Sequence, residues 1–238
     1  MGFYVRLWYL ILGLILHSST LKLFAQNHQM VRLAVIEVDT TQLDQYNALL
    51  KEEIDASIRK EPGVITLYGV AEKKHPERVT LFETYADSSQ YKSHLATPHF
   101  QKYKQGTLHM VKKLDLIEMQ PILYHRKAEL SNARAQDLYV RLLKIELESN
   151  DASRFAELNN TVMLPGIRKE PGLLVMYALA EKDYPTRVSI LEVYESLAAY
   201  DQHVRSPHYV EYEKALNTIV KSLEILDVNP IDLGSKPQ

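Results

Sequence analysis

The pattern of apolar and polar positions predicts strands alternating with helices. Residues 31–38 are mainly apolar, as in a strand that is buried on one or both faces. Apolar residues then recur at helical spacing through residues 43–58. Pro62 and Gly63 should end this helix, because proline cannot occupy a helix interior and glycine tolerates the turn.

The pattern that follows predicts a hairpin, two short helices and a final strand. Residues 64–71 and 79–85 are rich in β-forming residues and flank a polar turn. Short helices are expected to begin near Ser88 and at Pro98, where the preceding threonine caps the helix. Residues 114–119 are then the last strand of the unit.

The same order of elements occurs twice. Residues 168–172 repeat the sequence Arg-Lys-Glu-Pro-Gly of residues 59–63, an offset of 109 residues. At this offset, 31 of the 92 residues from 31 to 122 are identical to their partners without a gap. Identity at one fixed offset over this length indicates an internal duplication.

The duplication predicts two domains joined by a polar linker. The first copy covers residues 30–124, the linker residues 125–137 and the second copy residues 138–233. Pro165 and Gly166 should shorten or distort the first helix of the second copy. The fold class is α+β. Each sheet has helices on one face only, so we expect the bare faces of the two sheets to pack against each other within the chain.

The first 25 residues are typical of a signal peptide. Arg6 precedes an uninterrupted apolar run over residues 7–16, which is too short to span a membrane comfortably. Cleavage after Ala25 would leave a periplasmic or secreted protein without a membrane segment. An uncleaved N-terminal anchor is the alternative.

Composition excludes several kinds of site. The chain has no cysteine, so it has no disulfides, catalytic thiols or thiolate-bound clusters. A formal net charge of -2 gives no reason to expect a nucleic-acid partner. The eight glycines form no nucleotide-binding or phosphate-binding loop.

A set of residues at fixed spacing occurs in both copies. In the first copy these residues are Glu61-Pro62-Gly63, Tyr68, Arg78, Glu83-Thr84-Tyr85, His94 and Thr97-Pro98-His99-Phe100. In the second copy they are Glu170-Pro171-Gly172, Tyr177, Glu192-Val193-Tyr194, His203 and Ser206-Pro207-His208-Tyr209. In these residues the chain resembles the antibiotic biosynthesis monooxygenase family, particularly its quinol-monooxygenase-like members.

This resemblance implies two ferredoxin-like units that pair as a dimeric α+β barrel, here within one chain. It also implies an oxygenase that needs no cofactor and uses dioxygen on a small aromatic substrate. The haem-degrading branch of the family uses a tryptophan in its short helix. The only tryptophan here, Trp8, lies in the signal segment, which argues against haem breakdown.

The candidate bases are two histidines that each follow a tyrosine by three residues. Tyr91 with His94, and Tyr200 with His203, should lie on one helical face and reach a common pocket. A neutral imidazole there could deprotonate a phenol, and the resulting anion could pass an electron to dioxygen. The alternative is that these side chains only pack and hydrogen-bond within the fold.

Further residues are candidates for binding the substrate. These are Tyr68, Tyr85, Glu83 and His99 in the first copy, and Tyr177, Tyr194, Glu192 and His208 in the second. Glu83 lies on an otherwise apolar strand face, so it should either pair with a cation such as Arg78 or have a raised pKa at a pocket wall. Glu192 beside Arg187 poses the same choice.

We expect no cofactor and no metal. A metal site would have to combine His94, His99 and Glu83, but Pro98 breaks the helical spacing between the two histidines. The sequence thus favours an exported, cofactor-independent monooxygenase acting on a small hydroquinone or polyketide-like phenol. The alternative is a ligand-binding or scaffolding module of the same fold that no longer catalyses.

Overall fold

The computed structural model describes residues 29–127 and 137–236. The predicted signal segment and most of the predicted linker lie outside these residues. The first copy contains β1 (Met30–Val38), a 3-10 turn (Thr40–Gln42), α1 (Leu43–Lys60), β2 (Val64–Glu72), β3 (Arg78–Tyr85), α2 (Ser88–Leu95), α3 (Pro98–Thr107) and β4 (Val111–Arg126). This is the predicted order, although β4 is much longer than residues 114–119.

The second copy repeats the order of the first, except in its first helix. Its elements are β5 (Tyr139–Leu147), α4 (Ala152–Leu158), a π-helical turn (Asn159–Met163), α5 (Leu164–Ile167), β6 (Leu173–Glu181), β7 (Arg187–Tyr194), α6 (Leu197–His203), α7 (Pro207–Leu216) and β8 (Val220–Ser235). The single helix α1 thus corresponds to two short helices joined by a π turn. The distortion predicted from Pro165 and Gly166 is confirmed.

The strands of both copies form one closed antiparallel barrel in the order β1-β3-β2-β8-β5-β7-β6-β4. The long strands β4 and β8 join the two copies. Residues 111–119 of β4 pair with β1, and residues 119–126 pair with β6 of the second copy. β8 likewise pairs first with β5 and then with β2. The predicted intramolecular α+β barrel is therefore confirmed, and its closure leaves no free sheet edge.

Each long strand has a register irregularity beside a proline, just past the point where it changes partner. The register of β4 against β6 shifts just after Pro121, and that of β8 against β2 shifts just after Pro230. Proline has no amide hydrogen to donate, so it is tolerated where a bulge interrupts the ladder. The predicted linker start at residue 125 lies within the last residues of β4.

Side chains alternate between the barrel interior and the helix layers. Val31 and Leu33 of β1 pack inside the barrel with Tyr68, whereas Ala34 and Ile36 face the helices of the first copy. This follows from the two-residue period of a strand. A separate core lies under the helices of the second copy. Within the described ranges, no helix is both long enough and apolar enough to cross a membrane.

Candidate functional site

A cavity of about 360 Å³ lies between the sheet and the helices of the first copy. Strands β1 and β3 line one side, and α2 and α3 line the other. Its walls are mainly apolar, and Leu114 and Leu116, each 51% exposed, extend this lining to the surface. Small-molecule sites typically measure roughly 300–1,000 Å³. The cavity thus has the size and lining for a small aromatic molecule.

His94 and His99 share one carboxylate at the edge of this cavity. His94 Nδ1 lies 2.9 Å from Glu61 Oε1, and His99 Nε2 lies 2.6 Å from the same oxygen. His94 is near the end of α2, and His99 is the second residue of α3, whose start is capped by Thr97. The Thr97-Pro98 helix start predicted from sequence is therefore what places the two imidazoles together.

The hydrogen bond to Glu61 fixes the tautomer of His94. Burial alone would raise the pKa of Glu61, but the hydrogen bonds from His94 and His99 outweigh it and lower that pKa. Glu61 is therefore ionised at neutral pH and accepts a hydrogen bond from Nδ1–H of His94. A neutral His94 then has an unprotonated Nε2, the form that a general base requires.

Glu53 of α1 is a second titratable group on the cavity wall. Its side chain is 3% exposed, and its Oε1 lies 3.6 Å from His94 Nε2. Burial raises the pKa of Glu53 to about 8, although the hydrogen bond from Ser57 Oγ, 2.7 Å long, opposes the shift. A neutral carboxyl thus faces the free nitrogen of His94 at neutral pH.

Glu83 is paired inside the fold, but with a different cation from the one expected. Nη2 of Arg32, on β1, lies 2.7 Å from Glu83 Oε2, and the Tyr85 hydroxyl donates to the same oxygen at 2.8 Å. Arg78 instead lies beside Glu72. The expectation of Arg78 was wrong because residues 78 and 83 of one strand point to opposite faces, whereas Arg32 is directly across the ladder from Glu83.

Tyr91 completes this polar wall. Arg32 donates to the Tyr91 hydroxyl, and its guanidinium carbon lies 4.3 Å from the centre of the Tyr91 ring. Tyr91 and His94 both line the cavity, as the three-residue spacing predicted. Tyr85 packs between them, with ring centres 5.3 Å from Tyr91 and 5.4 Å from His94.

The second copy repeats the polar residues of this site. His203 Nδ1 lies 2.8 Å from Glu170 Oε2, and His208 Nε2 lies 2.7 Å from Glu170 Oε1. Glu192 is paired with Arg141 at 3.6 Å rather than with Arg187, for the same reason of strand geometry. The hydroxyl of Tyr194 donates to Glu192, and Tyr200 lies under the Arg141 guanidinium.

At two positions that line the cavity in the first copy, the second copy has larger side chains. Ala34 and Thr107 of the first copy line the cavity, and their counterparts are Leu143 and Leu216. Both leucines are buried in the core of the second copy. The counterpart of Glu53 is Val162. The two copies thus keep the same pairs of histidines next to a carboxylate but differ in the size of the side chains beside them.

One protein family matches both copies of the chain. The model of the antibiotic biosynthesis monooxygenase family matches residues 30–106 and 138–215. The chain belongs to this family. Both matched segments end within the last helix of their copy, before the long strands that join the barrel. A comparison with curated proteins gives no significant match.

Solved structures of similar proteins share the whole barrel. A provisionally assigned monooxygenase from Lactobacillus acidophilus NCFM has a TM-score of 0.80 at 22% identity, with 87% of this chain and 96% of that chain covered. One from Fusobacterium nucleatum has a TM-score of 0.78 at 14% identity, covering 88% and 95%. An anthrone oxidase-like protein has a TM-score of 0.58 at 12% identity, covering 90% and 96%. At these identities the likeness establishes the fold.

Two of the predicted substrate-binding residues lie outside the candidate site. Tyr68 and Tyr177 point into the barrel interior, where their rings stack with centres 5.7 Å apart. They belong to a different compartment from His94 and His203, because their positions on β2 and β6 face away from the helices. The structure therefore does not bring them to the candidate site.

Sequence reasoning missed Glu53 and Glu61 as site residues. Glu61 was considered only as part of the Glu-Pro-Gly motif that ends α1. Its presence in both copies, as Glu61 and Glu170, was the available signal. Glu53 has no such signal, because the second copy has Val162 there. Only the packing of α1 over the sheet shows that Glu53 reaches His94.

Proposed function

We propose that the first copy is a cofactor-independent monooxygenase that acts on a small hydroquinone or polyketide-like phenol. One observation carries this proposal: an apolar cavity whose wall holds an imidazole that is oriented by an ionised carboxylate. Membership of the antibiotic biosynthesis monooxygenase family supports the reaction class. The ring of such a substrate suits the apolar walls, and its hydroxyl suits the polar end formed by His94, Arg32 and Tyr91.

In the proposed reaction His94 Nε2 takes the phenolic proton of the substrate. Glu61 stabilises the imidazolium that forms, as a carboxylate does wherever it orients a catalytic histidine. The phenolate then gives one electron to dioxygen, and the two radicals combine to form a carbon–oxygen bond. The imidazolium returns its proton to the resulting peroxide. Loss of water, which also removes the hydrogen of that ring carbon, leaves a quinone carbonyl, so that one oxygen atom enters the product and the other leaves as water.

Arg32 and Tyr91 would orient the oxygen atom of the substrate. The Arg32 guanidinium is 7% exposed and already neutralised by Glu83, so it can polarise the substrate without carrying an unpaired buried charge. Tyr91 both accepts from Arg32 and lines the cavity. These two side chains are therefore positioned to hold the phenolate while His94 holds its proton.

For the second copy we propose a scaffolding role in this reaction. The larger side chains of Leu143 and Leu216 on the helix side of the sheet favour that assignment over a second active site. Strand β8 of the second copy pairs with β2 and closes the barrel next to the first copy. We therefore propose the alternative of a non-catalytic module for the second copy alone.

Oxygen uptake tests the proposed function. We expect the purified protein, in EDTA and without added flavin, to consume dioxygen with at least one member of a panel of hydroquinones and polycyclic phenols. With ¹⁸O₂, one labelled atom should appear in the product and one in water. No uptake above autoxidation would refute the proposal. Release of hydrogen peroxide without label in the product would show a quinol oxidase instead.

We also propose that residues 1–25 direct export to the periplasm or medium. The support is the apolar run that follows Arg6 and the absence of cysteine. The protein recovered from the exported fraction should begin at Gln26, which N-terminal sequencing would show. A first residue of Met1 in that fraction would indicate an uncleaved anchor.

A further inference from the structure

The second copy has an external groove where Ala199 replaces the longer Gln90 of the first copy. The groove measures about 430 Å³ and is lined by α5, the loop before β6, and the starts of α6 and α7. In the first copy the Gln90 side chain lies against Gly63, so that a Cβ on Gly63 would be 2.2 Å from Gln90 Oε1. The corresponding pair in the second copy is Gly172 and Ala199, both of which line the groove.

Gly166 makes room for a histidine at the same place. A Cβ on Gly166 would lie 2.2 Å from Cγ of His208, and the corresponding residue in the first copy is Ser57. His208 can therefore lie directly over the backbone of α5, with its ring facing the groove. Glycine in place of Ser57 thus leaves room for the His208 ring beside the groove.

The groove meets three potential metal ligands. His208 and Glu170 line it, with side chains 19% and 18% exposed, and His203 lies fully buried behind them. Each oxygen of the Glu170 carboxylate faces one imidazole nitrogen, at 2.7 Å and 2.8 Å. One ligand atom from each of the three residues lies within 4.8 Å of the others.

Two imidazoles and one carboxylate are ligands that divalent zinc, cobalt, nickel and iron accept. The protons now shared between the histidines and Glu170 are those that a metal ion displaces when it binds. Three protein ligands leave at least one coordination position open, and the groove supplies the space for water there. The metal site that the sequence suggests would include Glu83, but the structure pairs Glu83 with Arg32 instead.

We propose that the second copy binds a divalent first-row transition metal ion through Glu170, His203 and His208. The groove distinguishes this cluster from its counterpart in the first copy, where Gln90 covers the equivalent surface and His94 faces the inner cavity. This site is independent of the proposed oxygenase reaction, which belongs to the first copy and is tested in EDTA.

Cobalt(II) titration of the metal-free, untagged chain tests the proposal. We expect visible d–d absorption that saturates at one Co²⁺ per chain, and that Zn²⁺ abolishes by competition. Glu170→Gln and His208→Gln should each weaken Co²⁺ binding by more than the roughly 10–100-fold typical of losing an outer-shell partner. Glu170→Asp, which keeps a carboxylate, should restore part of the affinity.

The matched variants Glu61→Gln and His99→Gln in the first copy should leave the Co²⁺ spectrum and stoichiometry unchanged. Circular dichroism melting of each variant shows that it is folded. The proposal is overturned if folded wild-type protein gives no saturable Co²⁺ spectrum, or if Glu170→Gln binds like the wild type. It is equally overturned if the first-copy variants, and not the second-copy ones, remove the ion.

Discussion

Replacing His94 with alanine should lower the rate of oxygen consumption by about 10²–10⁴-fold, the usual contribution of a general base. His94 lines the open cavity, and its free Nε2 is directed there by the hydrogen bond between Nδ1 and Glu61. His203→Ala is the matched substitution in the second copy. We expect it to leave the rate near that of the wild type, because the larger Leu143 and Leu216 replace the cavity-lining Ala34 and Thr107 of the first copy.

Controls separate loss of the base from loss of the fold. His94→Gln keeps a side-chain donor toward Glu61 but has no basic nitrogen, so it should be as inactive as His94→Ala while retaining more of the wild-type stability. The measurement is oxygen uptake at saturating substrate, together with thermal melting of each variant. If His203→Ala were the variant that lost activity, the catalytic copy would be the second. Equal, small losses in both variants would argue that neither histidine is the base.

Replacing Glu53 with glutamine should change how stability depends on pH. Burial raises the pKa of Glu53 to about 8, from an ordinary value of 4.5. Between these two values the native state binds more protons than the unfolded state, so its free energy of unfolding falls as pH rises. Relative to Glu53→Gln, the wild type should lose about 1.4 kcal/mol per pH unit across this window.

Urea unfolding at several pH values between 4.5 and 8 measures this difference. Below pH 4.5 the carboxyl is protonated in both states, so the two curves should run parallel there. Glu52→Gln is the matched control, because Glu52 is an exposed neighbour on α1 that pairs with Lys102. Parallel wild-type and Glu53→Gln curves throughout the window would show that Glu53 is ionised in the fold, and that His94 faces a carboxylate.

The two copies share an arrangement of carboxylates and histidines but differ in the side chains beside it. Each half keeps a hydrogen bond from the carboxylate that follows its first helix region to the histidine at the end of its first short helix. They differ in the volume of residues beside those bonds. The second half thus closes the barrel with the first, while its own surface carries a groove.

Much of this architecture was predictable from sequence, for reasons that are local. The 109-residue offset, the order of elements and the helix start at Pro98 depend on neighbouring residues and on short-range periodicity. The approach of Tyr91 and His94 to one pocket followed from their three-residue spacing. Predicting these elements requires only the residues of a single helix or hairpin.

The sequence by itself determined that this protein is an α+β tandem duplication without cysteine, with histidines, tyrosines and carboxylates as its candidate site residues. Only the tertiary structure decided that Arg32, and not Arg78, neutralises Glu83, and that Glu61 joins His94 to His99. It also decided that the first copy has the open cavity. These outcomes depend on strand pairing and on the summed volume of side chains from several distant elements. A local sequence pattern does not reveal this pairing or this combined volume.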